Sequence, residues 1–93
     1  MKYSKILSRP EARHRYWHIP KAEREFFPEQ LKIFKLEFDD KTFELKVNHK
    51  DDIMTGQLYS RHKFQEGDRI IVEQKKNGIF TLDAPDTKLY PDV

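Results

Sequence analysis

Cysteine is absent from this chain of 93 residues, which excludes disulfide bonds and thiolate metal sites. Only three glycines occur, and no Gly-rich phosphate-binding loop can be read among them. No apolar run approaches the roughly 18 residues of a membrane span, and no signal-peptide pattern opens the chain. We therefore expect a cytoplasmic protein that has no contact with a membrane and no small-molecule cofactor.

Length and composition set the size of the domain. With 93 residues, of which apolar and charged residues each make up 37%, the chain is expected to form one domain with a small core. That core should come largely from the seven Phe, together with Leu, Ile and Val. We expect the domain to cover residues 13–83, between an N-terminal extension of residues 1–12 and a C-terminal tail of residues 84–93.

Charge is distributed unevenly along the chain. The net charge is only +2, yet residues 1–24 contain seven Lys and Arg against two Glu and therefore hold +5, which leaves −3 for the rest. Tyr16 and Trp17 lie inside this cationic segment, whereas a solubility tail rarely contains large aromatic side chains. We interpret residues 13–21 as a basic, aromatic arm that concentrates positive potential on one face. An ordinary solvated tail is the alternative.

Alternating apolar residues predict two β-hairpins. Two period-2 runs flank the polar residues 39–42, and their apolar members are Phe34, Leu36, Phe38, Phe43, Leu45 and Val47. Such runs predict a hairpin with one buried and one exposed face. A second hairpin is predicted for residues 69–73 and 79–83, because Asn77-Gly78 favours a tight turn between them.

Shorter elements are predicted around the hairpins. Short strands are expected at residues 16–19 and 53–54, and short helices at residues 21–27 and 57–63. Many short strands in so small a chain favour a barrel-like arrangement, which protects strand edges. The predicted fold is mainly β: a small open β-pseudobarrel of about seven short strands with two short helices.

One pattern could indicate a metal-dependent nuclease. Glu44-Leu45-Lys46 matches half of such a motif, in which a carboxylate binds the metal and a lysine supports the attacking water. The second acid would be Asp39 or Asp40, which is close in sequence and lies across a hairpin turn. On an alternating strand, Glu44 and Lys46 are expected to form the exposed face instead.

Histidines offer a second possibility, a zinc site. His14 and His18 are four residues apart and would share one face of a helix, where they could bind zinc. They precede Pro20 in a segment that we interpret as arm and strand, so zinc ligation is not expected. We therefore predict no metal, no catalytic residue and no enzymatic activity.

The polar loop of residues 48–52 is a better candidate for a binding site. Its side chains, extended by Thr55, are of the kinds that read base edges: Asn can pair with adenine, Lys with guanine, and Asp with cytosine. The basic arm adds cations for phosphate contacts and two aromatic faces. We expect double-stranded DNA as the partner, and a plain solvated connection is the alternative for the loop.

The order of several short motifs resembles a known family. Along residues 13–83 these are the basic arm, Ile19-Pro20-Lys21, Phe26-Phe27-Pro28, a hairpin, the loop from Asn48, Thr55-Gly56 and Gly67-Asp68. This order resembles the B-three DNA-binding pseudobarrel of plant transcription factors, and more closely the related recognition domains of some prokaryotic restriction endonucleases. The resemblance implies a seven-stranded open barrel that grips the major groove of DNA between two arms.

The resemblance also implies which residues contact DNA. The N-terminal arm would use Arg13, Arg15, Tyr16 and Lys21, and the C-terminal arm would use Asn48, His49, Lys50, Asp51 and Asp52. Gln57 departs from the plant pattern, which usually has a Gly-Trp pair there. The two acids also depart from it, because they would repel phosphate unless they face bases or basic neighbours.

We therefore expect a nucleoid-associated monomer that binds double-stranded DNA in a sequence-specific manner. It would be the recognition module of a restriction or defence system, or a regulator of transcription. Two alternatives stay open. Swapped-hairpin transcription factors of the antitoxin type also use Ile-Pro-Lys and Gly-Asp turns, but they are obligate dimers. A non-enzymatic protein-interaction barrel would use the basic arm to bind an acidic partner.

Overall fold

The computed structural model describes residues 2–60 and 62–89, and within them the chain is mainly β. The strands are β1 (Lys2–Ile6), β2 (Tyr16–His18), β3 (Phe34–Phe38), β4 (Lys41–Leu45), β5 (Asp52–Met54), β6 (His62–Lys63), β7 (Arg69–Gln74), β8 (Phe80–Asp83) and β9 (Lys88–Leu89). The α-helix α1 spans Arg9–His14, and two 3₁₀ helices span Lys21–Phe26 and Gly56–Ser60.

Five strands form the main sheet, in the order β1-β7-β8-β3-β4. The pairs β2-β5 and β6-β9 form two small separate sheets. Since β1 and β4 lie at opposite edges of the main sheet, it is open and does not close into a barrel. The predicted fold class, a mainly β open pseudobarrel, is confirmed, with more and shorter strands than the predicted seven.

The first predicted hairpin is β3 and β4. Leu36 lies opposite Phe43 in an antiparallel register. The turn is tighter than predicted, because it consists of Asp39 and Asp40 alone, with φ of 55° and 61°. Two successive residues with positive φ are typical of a type I′ turn, whose twist matches that of the flanking strands. Lys41 therefore already belongs to β4.

The second predicted hairpin is β7 and β8. The Lys75 N–H donates to the Ile79 carbonyl at 2.8 Å, and Gly78 takes the positive φ of 81° that the turn requires. β8 also pairs in parallel with β3, with Leu36 opposite Phe80. The two hairpins are thereby joined into one sheet.

Of residues 1–12, the expected N-terminal extension, residues 2–12 include β1 and most of α1. β1 pairs over its whole length with residues 69–73 of β7, and Tyr3 and Leu7 are buried in the core. α1 begins with a capping box, in which Ser8 and Glu11 each accept from the other's backbone N–H. Pro10 lies in the first turn of the helix, where its missing N–H costs nothing, so it does not end the segment.

The C-terminal segment also differs from the expected tail. β9 pairs with β6, with Lys63 opposite Lys88. The predicted helix of residues 57–63 is a 3₁₀ helix that ends at Ser60, and β6 follows it. Arg61, from the predicted helix, lies outside the described residues. The same is true of residues 90–93, from the expected tail.

The core lies between the main sheet and the segments that cross it. Its aromatic centre is Phe27, whose ring packs edge-on against Tyr3 at 5.3 Å and stacks on Phe80 at 5.8 Å. Trp17 is buried in the same core. Because side chains alternate along a strand, burial of Trp17 turns the neighbouring Tyr16 and His18 towards solvent. The core therefore fixes which residues of the arm are available for binding.

Candidate functional site

An open cleft of about 410 Å³ lies beside the paired strands β2 and β5. Antiparallel pairing places Tyr16 opposite Met54 and His18 opposite Asp52. The cleft is lined by His14, Tyr16, Asn48, His49, Lys50, Asp52 and Met54. The fold thus brings one residue of the predicted N-terminal arm together with four of the predicted C-terminal arm.

The loop between β4 and β5 is held by the side chain of Asn48. Its Oδ1 atom accepts hydrogen bonds from the backbone N–H groups of Lys50, at 2.8 Å, and Asp52, at 3.1 Å. Asp51 completes the turn with a positive φ of 61°. A bidentate contact with adenine needs a free amide oxygen, so Asn48 cannot make that contact while it holds this turn. Asn48 therefore has a structural role in the turn, which its sequence context had not predicted.

The two acids of the loop both face basic neighbours. Asp51 Oδ1 accepts from Arg24 Nε at 2.9 Å and from Gln30 Nε2 at 2.8 Å. The hydrogen bond from Gln30, helped by the Arg24 guanidinium, holds the pKa of Asp51 below its ordinary value. Asp52 Oδ1 lies 2.8 Å from His18 Nδ1. Arg24 thus offsets the negative charge of Asp51, and Asp52 shares a hydrogen bond with His18.

The other predicted residues of the N-terminal arm are exposed cations that do not line the cleft, although Arg13 and Arg15 flank His14 in the chain. Arg13 is exposed on the last turn of α1, and Lys21 is exposed at the start of the first 3₁₀ helix. Arg15 follows α1 in the left-handed conformation, with φ of 60°. Its guanidinium lies 4.9 Å from the ring centroid of Tyr59, a cation–π arrangement that holds the side chain near the surface.

Thr55 was predicted to contact DNA, and the structure places it elsewhere. Its side chain is fully buried, and its backbone N–H donates to the Arg15 carbonyl at 2.9 Å. The Thr55 hydroxyl oxygen makes no hydrogen bond with the described residues. Thr55 therefore connects β5 to the arm through its backbone, and its hydroxyl does not reach the surface.

Glu11 is a residue of the site that the sequence reasoning missed. It is buried, and its carboxylate accepts hydrogen bonds from Lys5 Nζ, from the Ser8 N–H at 3.0 Å and from the His18 N–H at 2.8 Å. Burial by itself would raise the pKa of Glu11, but these three hydrogen bonds outweigh it and lower that pKa. Lys5 Nζ also donates to the His18 carbonyl at 2.7 Å. This network fixes β2 against β1 and α1.

The residues of the alternative catalytic sites lie apart from one another. Glu44 and Lys46 are exposed on β4 and just after it, whereas Asp39 lies beside His62, with 3.3 Å between Oδ2 and Nε2. His14 lines the cleft, whereas His18 Nδ1 lies within hydrogen-bond distance of Asp52 Oδ1. No three His, Asp or Glu side chains of the described residues lie close enough together to hold a metal ion.

Comparisons with protein-family models, curated proteins and solved structures found no match for this chain. The function must therefore be inferred from the chemistry of the site, since a fold alone does not define an activity. Within residues 2–60 and 62–89, no helix has the length and apolar character needed to cross a membrane.

Proposed function

We propose that this protein binds double-stranded DNA in a sequence-specific manner through α1, β2 and the loop of residues 48–52, and that it has no catalytic activity of its own. The main support for this proposal is the set of residues that line the cleft. The cleft joins Tyr16 of the basic arm to His49 and Lys50 of the polar loop, next to the exposed Arg13 and Arg15. Two segments that are far apart in the sequence thus form one cationic, hydrogen-bonding surface.

The charges that the fold leaves unpaired favour this surface. In the N-terminal segment, Lys5 is paired with Glu11, and Arg24 is paired with Asp51. Arg13, Arg15 and Lys21 are exposed, and Arg13 and Arg15 flank His14, which lines the cleft. Exposed arginines and lysines contact phosphates, which position a protein on DNA without reading its sequence.

Sequence would be read by the side chains that the loop leaves available. His49 and Lys50 are exposed at the cleft, and Lys can donate to the O6 and N7 atoms of guanine. Tyr16 offers a half-exposed ring and a hydroxyl beside them. Asn48 and Asp51 hold the loop in place and are assigned no base contact.

The resemblance to B-three domains supports the same proposal and suggests a context. The chain would act as the recognition module of a restriction or defence system, in the cytoplasm and associated with the nucleoid. We propose that it acts as a monomer. Sedimentation tests this directly, because a swapped-hairpin factor of the antitoxin type sediments as a dimer at every accessible concentration.

Selection from a randomised duplex library at near-physiological salt tests the function. We expect a single enriched motif in the bound pool. A flat pool would contradict sequence-specific binding, and failure to retain any duplex would contradict DNA binding altogether.

The double variant in which Arg13 and Arg15 are replaced by Ala should no longer retain the enriched duplexes. The matched control, Lys35 and Lys76 to Ala, removes the same charge from exposed positions that do not line the cleft and should retain the motif.

A further inference from the structure

A second depression continues the cleft. A groove of about 310 Å³ adjoins it and is lined by Ile33, Glu44, Leu45, Lys46, Asn48, Met54 and Gln57. Asn48 and Met54 line both depressions, so the two form one continuous track along the surface. The cleft is lined by Lys50 and Asp52 and the groove by Lys46 and Glu44, so each part contains one cation and one acid.

This track exposes apolar side chains that the rest of the described residues leave open to solvent. Met54 is 56% exposed and Ile33 is 60% exposed, both high values for large apolar residues. Tyr16 adds the face of an aromatic ring. Adjacent exposed apolar side chains mark a site where another molecule docks. The track therefore suits a ligand with a flat apolar surface.

A fully paired duplex does not provide such a surface. Its bases hide their apolar faces in the stack, and apart from the thymine methyl group they present polar edges in the grooves. An unpaired base exposes its face, which stacks on aromatic and apolar side chains regardless of sequence, and its phosphates lie within reach of neighbouring cations. A concave site of about 410 Å³ is also within the usual range for a small ring compound, roughly 300–1,000 Å³.

We propose that the cleft takes up an unpaired base, which stacks against Tyr16 and Met54 while Lys46 holds a flanking phosphate. The preferred ligand is then DNA with a mismatched, bulged or single-stranded position. This inference rests on the proposed DNA binding and names the part of the DNA that enters the cleft. Removal of a base from the stack costs least where it is already mismatched or unpaired.

Fluorescence anisotropy with labelled oligonucleotides of one sequence tests the inference. The probes are a perfect duplex, the same duplex with one central mismatch, the same duplex with one bulged nucleotide, and the single strand as DNA and as RNA. We expect the mismatched and bulged duplexes to bind about tenfold tighter than the perfect duplex, which corresponds to one base–aromatic stacking interaction. Equal binding of the two single strands supports recognition of the base face, and preference for DNA supports an additional contact with the sugar.

Variants of the cleft complete the test. Tyr16→Ala should abolish the tenfold preference, and Tyr16→Phe should keep it because the stacking ring remains. Met54→Ala changes an exposed residue, so it should reduce the preference without altering thermal unfolding. A preference that survives both Ala variants would overturn the inference. Equal binding of perfect and mismatched duplexes would also overturn it but leave the proposed function standing, whereas failure to bind any probe would contradict the proposed function itself.

Discussion

The Nδ1 atom of His18 lies 2.8 Å from the Oδ1 atom of Asp52, across the antiparallel pairing of β2 with β5. The His18 side chain is 54% exposed and that of Asp52 is 19% exposed, so the contact lies at the rim of the cleft. It joins the basic arm to the polar loop at the point where DNA is proposed to bind.

Asp52→Asn tests what this contact contributes. Pairs as exposed as this one stabilise proteins by less than about 1 kcal/mol, so thermal unfolding should change little. Binding to random duplex should become tighter by up to about fivefold, because one negative charge is removed from the cleft. Titrations at low and high salt measure this, and the gain should shrink at high salt. Weaker binding by this variant would mean that Asp52 itself contacts the DNA.

Replacement of Arg13 and Arg15 together by Ala should change the salt dependence of binding. Each phosphate contact contributes a slope of about −0.9 in log K against log[salt], so the slope should flatten by about one to two units. Loss of the contact between Arg15 and Tyr59 should cost only about 0.5–1 kcal/mol of stability. The control with Lys35 and Lys76 replaced by Ala should keep the slope of the unaltered protein. An unchanged slope in the arginine variant would show that neither arginine touches the backbone of DNA.

Leu36→Ala tests the core of the main sheet. Leu36 is fully buried in the central part of β3, between β4 and β8. The truncation should lower the free energy of unfolding by about 2–5 kcal/mol, a large share of the stability of a small domain. Urea unfolding followed by circular dichroism measures the loss, and Lys35→Ala on the exposed face is the control. Unfolding of Leu36→Ala at the same urea concentration as the unaltered protein would contradict the packing described.

Asn48→Ala should act on the loop itself. The variant removes an oxygen that accepts two backbone hydrogen bonds, so stability without DNA should fall by about 1–3 kcal/mol. Asn48→Asp keeps an acceptor oxygen and should preserve the turn and its stability. The melting temperatures of both variants without DNA separate the two possibilities. A loss of DNA affinity in Asn48→Ala with no change in melting temperature would restore the reading role predicted from the sequence.

Because of Glu11, the free energy of unfolding should depend on pH in the acid range. Its pKa is lower in the folded protein than the ordinary value of 4.5, so the charged form favours folding. This contribution is present above pH 4.5 and is lost as the pH falls through the lower pKa of the folded state. Glu11→Gln should therefore be less stable at pH 7, by about 1–3 kcal/mol. The difference between the two proteins should shrink below pH 4.5.

Urea unfolding at pH 7 and at several values below pH 4.5 measures that difference. If it stays constant over this range, the Glu11 carboxylate makes no pH-dependent contribution. Lys5→Met is a useful companion, because it removes the ammonium partner and keeps the length of the side chain. It should raise the pKa of Glu11 and move the acid transition towards neutral pH.

Local patterns predicted the parts of the fold that local contacts determine. The two hairpins follow from period-2 alternation, and their turns follow from residues that tolerate positive φ. The arm was expected to offer two aromatic faces, but Trp17 is buried and only Tyr16 reaches the surface, because alternation does not say which face of a three-residue strand is inside. α1 was missed although its signal was present: Ser8 and Glu11 have the spacing of a capping box.

The pairing of charges in the site could not be read from the sequence. Arg24 and Asp51 meet only because the first 3₁₀ helix lies beside the loop after β4. Thr55 follows an exposed Met54 and precedes a glycine, a context that gives no sign of complete burial. These relationships depend on tertiary packing, which overrides local propensity and polarity.

The pairing of β1 with β7 has a consequence for the order in which the protein assembles during synthesis. Lys5 lies on β1, which pairs with β7. Its Nζ atom donates hydrogen bonds to the Glu11 carboxylate and to the His18 carbonyl. Contacts between residues so distant in the chain form late in folding, because a long loop must close first. A nascent chain that ends before residue 69 therefore lacks the strand that supports the arm. The ribosome must release residues 69–74 before the surface proposed for DNA can take its final shape.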